Sequence, residues 1–138
     1  MNDFHKPVLL QEVIDFLRVR RESRYIDATL GGGGHTRGII ERGGIVLGID
    51  QDEDAIQFLK KNFKFEILNF KLVLVRGNFK DIDKIAHLKG FSKVSAVLFD
   101  LGVSSHQLEK SERGFSYLKT APLDMRMDKK LKVKAADL

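Results

Sequence analysis

The 138-residue sequence contains no cysteine, which excludes a disulfide scaffold, a Cys-ligated zinc and catalysis by a thiolate nucleophile in this chain. It has no apolar run near the ~18 residues that a membrane span requires. Its start, MNDFHKPVLL, lacks the basic flank and long apolar stretch of a secretory signal. These absences fit a reducing, cytoplasmic location and disfavour secretion and membrane insertion. Internal repeats are missing too, and the nearest approach to low complexity is the Lys-rich stretch 129–134.

What is present suits one compact domain. Hydrophobic residues make up 43% of the chain, enough to bury a sizeable core. Lys and Arg number 24 against 19 Asp and Glu, a formal charge of +5 that permits an anionic partner without requiring one. The charge is unevenly placed: residues 110–138 carry eight Lys/Arg and four Asp/Glu, whereas residues 1–109 carry sixteen and fifteen.

Apolar spacing and breakers predict an alternating order of elements. Pro7 followed by Val8, Leu9, Val13, Ile14 and Leu17 predicts a helix over about 7–17. A strand is expected over 25–30, a helix over 35–42 ended by Gly43 and Gly44, and a strand over 45–49 closing on Asp50. The next helix starts with Asp52, Glu53 and Asp54 and ends with Lys60 and Lys61, the charge order that the helix dipole favours. A strand over 71–75, a helix over about 81–88 and a strand over 94–99 ending at Asp100 complete the pattern. Alternating elements with continuous apolar strands imply an α/β fold: a parallel sheet covered by helices on both faces, which binds ligands at the carboxyl ends of its strands.

Those ends carry the candidate chemistry. Gly31 to Gly34 join a strand to a helix, so the backbone can approach a ligand closely and offer helix-start amides, although such a run also serves as a plain tight turn. The third glycine of a dinucleotide fingerprint is missing, with Thr36 or Arg37 in its place, and no Gly-Lys-Ser/Thr follows to make a P-loop. Asp50 lies 19 residues after Gly31, where a carboxylate accepts the hydroxyl hydrogens of a ribose or caps the next helix. Asp100 opens the small-residue loop 101–105, a place for a catalytic or substrate-orienting acid or for a loop cap. His35 and His106 lack the clustered spacing of a metal site, so no metal is expected, and His5 and His87 are read as bystanders. Arg113, Phe115 and Arg126, with the lysines at 129–134, combine basic and aromatic groups in the manner of a nucleic-acid contact, although a lysine run by itself is often a solvated face.

Taken in order, these segments resemble one family: the bacterial small-subunit ribosomal RNA methyltransferases of the RsmH or MraW type, which act on the exocyclic N4 of cytosine. The likeness runs through residues 5–10, 27–35, 48–50, 77–79, 100–105, 107–108, 113–116 and 123–128. It implies a Rossmann-like class I methyltransferase sheet and S-adenosylmethionine as cofactor. Gly33, Gly34 and His35 would lie near the methionine moiety, Asp50 on the ribose and Phe79 against the adenine, with Asp100 and Gln107 completing the pocket. The implied partner is 16S ribosomal RNA or an assembled small subunit, and members of the family often form homodimers. His106 and Glu109 stand where the family usually has proline and aspartate.

Members of the family are longer than this chain, and their sheets need strands beyond the four found here. The chain is therefore expected to be an N-terminal half: residues 1–109 the first part of the cofactor-binding domain, residues 110–138 a basic loop at the start of a substrate-binding region. An open edge at the fourth strand would then bring low stability, self-association or a need for a companion segment, and such a half is expected to have reduced or no activity by itself. Two other readings compete with the methyltransferase: a catalytically silent cofactor- or RNA-binding module, and an NAD-dependent oxidoreductase, against which the missing glycine counts.

Overall fold

A computed structural model of the chain describes residues 7–138. His5 and Lys6 lie outside them. Four parallel strands, β1 (Arg24–Asp27), β2 (Ile45–Asp50), β3 (Leu72–Arg76) and β4 (Ala96–Leu98), form one sheet in the order β3-β2-β1-β4. The chain thus steps outward from β1 to β3 and then returns to the other side of β1. That reversal opens a crevice between the carboxyl ends of β1 and β4, where α/β sheets take their ligands. The register sets Asp27 level with Gly48 and Leu98, and Asp50 level with Arg76, so these residues lie toward the same end of the sheet.

Side chains alternate across a strand, and here the alternation builds two cores. Tyr25, Val46 and Leu72 point to one face, where they meet Ile14 of α1 (Leu10–Leu17), Ile39 of α2 (Gly34–Glu41) and Leu59 of α3 (Glu53–Asn62). Ile26, Leu47 and Ile49 point to the other, against Ala86 of α5 (Ile82–Leu88) and Phe91. A short α4 (Lys64–Leu68) follows α3 directly, and α6 (Ser105–Glu109) follows β4. Gly48 is required by close approach: a Cβ there would lie 2.4 Å from the Leu30 side chain.

Several boundaries differ from the sequence expectation for identifiable reasons. The first helix starts at Leu10 and not at Pro7; Leu9 is in the left-handed region (φ 52°), and Pro7 packs instead on Gly34. β1 stops at Asp27 because its carboxylate accepts from the Thr29 amide (3.2 Å) and turns the backbone. α4 has no counterpart in the periodicity reading. Ser105, expected to end the small-residue loop, instead opens α6, which is held by a capping box between Ser104 and Gln107.

β4 lies at the sheet edge, with Val97, Phe99 and Leu101 exposed. No further strand succeeds it among the described residues. Residues 110–131 double back to the carboxyl rim, where Arg76 pairs with Asp128 (2.5 Å) and Lys129 with Asp54 (2.9 Å).

Candidate functional site

A cavity of about 510 Å³ occupies the crevice at the strand ends, a size suited to a small molecule or cofactor. Six of the seven residues that the resemblance assigns to the cofactor line it: Gly34, His35, Asp50, Phe79, Asp100 and Gln107. They come from five separate segments, and only the strand order brings them to one place.

Asp50 closes β2 and faces the glycine loop. Its Oδ2 accepts from the Gly31 amide (2.9 Å) and its Oδ1 from the Asp52 amide (2.8 Å), so both oxygens are fixed while each keeps acceptor capacity toward the cavity. Burial pushes its pKa up, against the opposing effect of those amide hydrogen bonds. A buried, more basic carboxylate is a stronger acceptor for hydroxyl hydrogens. The helix cap proposed as its other role belongs to Asp52, whose carboxylate accepts from the Asp54 amide (3.0 Å).

Phe79 comes shortly after β3 and is partly exposed at the cavity, braced edge-to-face by Phe99 with ring centroids 5.6 Å apart. This leaves an aromatic surface for a planar apolar ligand group. At the other end, the Asp100 amide donates to Thr29 Oγ1 (2.7 Å), which ties the loop after β4 to the loop after β1. The Asp100 carboxylate remains partly exposed, with Oδ2 3.8 Å from Nδ1 of the buried His35. His35 Nε2 donates to the Val8 carbonyl (3.0 Å), which fixes the ring against the segment before α1.

Three sequence assignments change. Gly33 is buried away from the cavity lining: at φ 76° a Cβ would lie 2.5 Å from Leu59, so its missing side chain serves core packing, and Gly31 and Gly34 form the wall. Gln107 lines the cavity, but its Oε1 accepts from the Ser104 amide (3.0 Å) and its Nε2 donates to Asp52 (2.7 Å), so its polar atoms brace the wall.

The third concerns the expected RNA contacts. Arg113 is 4% exposed and donates to Asp52 (2.8 Å), Asp54 (2.9 Å) and the carbonyls of Arg126 and Met127 (3.1 Å each). Its guanidinium also lies 5.8 Å from the half-buried Phe115 ring. Arg126 is spent on Asp124, with Nε and Nη2 each 2.7 Å from the carboxylate, and on the Leu131 carbonyl (2.6 Å). That pairing holds Asp124 down to about 2. Neither arginine offers a free guanidinium to a phosphate.

Sequence reasoning passed over Asp27. It is fully buried beneath the glycine loop, where it accepts from Thr36 Oγ1 (2.7 Å) and the Thr29 amide. Burial raises its pKa, outweighing the hydrogen bonds that lower it. Above that raised value the folded state carries the full cost of a buried charge. As pH falls through it toward the ordinary carboxylate range, the folded protein takes up a proton before the unfolded chain does. The parent is therefore expected to gain stability on acidification relative to Asp27→Asn. Urea unfolding of both proteins from pH 7 to pH 4 checks this, and parallel pH profiles would contradict it. Asp54 shows the opposite balance: partial burial raises its pKa, but Lys129, Lys110 and Arg113 together outweigh that and hold it below the usual range.

No group of three or more His, Asp or Glu gathers as a potential metal site among the described residues, and none of their helices is long and apolar enough to cross a membrane.

The chain matches the family model of the MraW methylase family over residues 2–138. Ribosomal RNA small subunit methyltransferase H of Fusobacterium nucleatum subsp. nucleatum is 46% identical over 140 residues, covering 99% of this chain and 44% of that protein. The protein of the same name from Halothermothrix orenii is 50% identical over 128 residues, covering 91% and 40%. The chain thus spans less than half the length of these curated relatives. Among solved structures, an rRNA methylase from Streptococcus thermophilus aligns with a TM-score of 0.57 at 22% identity, covering 75% of this chain and 60% of that one. The C-terminal domain of precorrin-6Y C5,15-methyltransferase from Rhodobacter capsulatus aligns with a TM-score of 0.56 at 22% identity, covering 73% and 55%. At such identities the likeness establishes the fold, the parallel α/β sheet of class I methyltransferases. The sequence matches carry the assignment further: this chain belongs to the MraW methylase family.

Proposed function

We propose that these residues form the S-adenosylmethionine-binding part of a methyltransferase that modifies the exocyclic N4 of a cytosine in small-subunit ribosomal RNA, free or assembled. The observation that carries the cofactor reading is the Asp50 carboxylate, fixed by the Gly31 and Asp52 amides in the lining of a cavity that the Phe79 ring also lines. Those groups match a ribose and a purine. The names of the sequence relatives support the RNA substrate.

In this reading Asp50 accepts the ribose hydroxyls, Phe79 carries the adenine, and Gly34 and His35 border the methionine moiety. When bound, the cofactor supplies an electrophilic methyl group on a sulfonium. The protein's task is then in-line placement of the acceptor nitrogen, with no metal and no covalent enzyme intermediate. A cytosine amine is conjugated with its ring and a poor nucleophile. In the same reading Asp100, or a backbone carbonyl of 101–103, accepts the amine hydrogens and favours attack; all of these residues line the cavity. The base must leave its stack to reach this depth.

Calorimetric titration with S-adenosylmethionine and with NAD separates this reading from an oxidoreductase: binding of NAD alone would overturn it. Transfer of a tritiated methyl group to small-subunit RNA or to subunits tests turnover against silent binding. Asp100→Asn is expected to lower the transfer rate by about 100-fold, a larger effect than its loss of cofactor affinity, as for a group needed mainly in the transition state. A parent-like rate in the variant would remove the carboxylate from the mechanism.

A further inference from the structure

The cavity has a wall that none of the strand-end loops supplies. Met127, from the irregular segment after α6, lines it alongside Gln51 and Asn78. Gln51 Nε2 donates to Met127 Sδ (3.2 Å), and Asn78 Nδ2 donates to Gln51 Oε1 (3.0 Å), so a chain of contacts joins the thioether to the residue before Phe79. Met127 is anchored on both sides along the backbone. Arg113 holds the carbonyls of Arg126 and Met127, and Arg76 holds the Asp128 carboxylate (2.5 Å). Arg113 itself is locked to the start of α3 through the buried Asp52.

We propose that Met127 is a cofactor-contact residue that closes the purine end of the cavity, and that Arg113 is the positioning residue that holds it there. This rests on the cofactor reading above. Phe79 offers a purine one face, and Met127 limits the room beyond its edge. A thioether suits that task because it is apolar, polarizable and tolerant of an aromatic edge. The ion-pair hub then has a purpose beyond stability: it converts a segment without regular structure into a rigid part of the binding wall.

Calorimetry with S-adenosylhomocysteine and with its N6-benzyl derivative tests the proposal on the 138-residue chain. The parent should bind the first and discriminate strongly against the second. Met127→Ala should weaken S-adenosylhomocysteine about 5- to 10-fold, from the lost apolar contact. The same variant should narrow the discrimination at least about 10-fold, because the space beyond the purine edge opens. Arg113→Lys, which keeps the charge but not the fork of donors, should shift both quantities in the same direction. In the double variant the effects should be strongly non-additive, since Arg113 acts through Met127. A purely structural arginine would lower thermal stability without altering the discrimination ratio. Unchanged ratios in Met127→Ala, with the parent binding S-adenosylhomocysteine, would overturn this proposal alone. Failure of the parent to bind S-adenosylhomocysteine would overturn the cofactor reading and this inference with it.

Discussion

Arg113→Ala is expected to destabilise the protein by about 3–5 kcal/mol, the usual cost of removing one partner from a buried ion pair. The pair is closed from solvent on both sides: the Arg113 side chain is 3% exposed and that of Asp52 is 2%. Deleting the guanidinium leaves the Asp52 carboxylate buried with only the Gln107 amide and the Asp54 N–H as donors. It also strands the carbonyls of Arg126 and Met127. Arg126→Ala makes the control. Its bidentate pair with Asp124 is local to one loop and each side chain keeps 19% exposure, so a smaller loss is expected than at the fully buried hub. Urea denaturation of the two variants measures the contrast. Equal, small effects would mean that the hub at Asp52 relaxes freely or admits water. Arg113→Lys should recover part of the loss in stability, because it restores the charge.

The second large effect is on binding. Asp50→Ala is expected to weaken S-adenosylmethionine by roughly 100-fold or more, since hydrogen bonds to a charged acceptor contribute about 1.5–3 kcal/mol each. Two ribose hydroxyls would lose their acceptor together. The variant also frees the Gly31 and Asp52 amides, so the glycine loop loses its side-chain tie to β2 and keeps the backbone bond from Leu30 to Ile49. Asp50→Asn separates the two contributions: it keeps one acceptor oxygen for an amide but removes the charge, and an intermediate affinity is expected. Isothermal titration of both variants provides the check. Parent-like affinity in Asp50→Ala would refute the ribose role and with it the main support for the cofactor assignment.

How far the sequence reaches can be judged from particular residues. The position of Asp50, Phe79 and Asp100 at one rim was legible because each stands at or after the end of an apolar strand run, and parallel topology brings such ends together. The two faces of the sheet were implicit in the same runs. α6 was within reach, since Ser104 and Gln107 have the spacing of a capping box. Gly33 was not. Four successive glycines look alike in sequence, and only the packed position of Leu59 shows which of them must lack a side chain for the core and which line the cavity.

The basic character of residues 110–138 shows the same division most clearly. Composition alone established that this segment carries most of the net positive charge. Only the tertiary structure decided what two of those charges do, because Arg113 meets an acid 61 positions earlier in the chain and Arg126 closes its own loop. Local patterning reports whether a side chain is charged, and periodicity reports which way it faces within a helix or strand. An irregular segment has no period, so its burial is set by distant partners. The sequence by itself therefore determined the sheet, its carboxyl rim and the carboxylates delivered there. Folding decided that an arginine expected at the surface is buried, and that a methionine from the same segment forms part of the cavity wall.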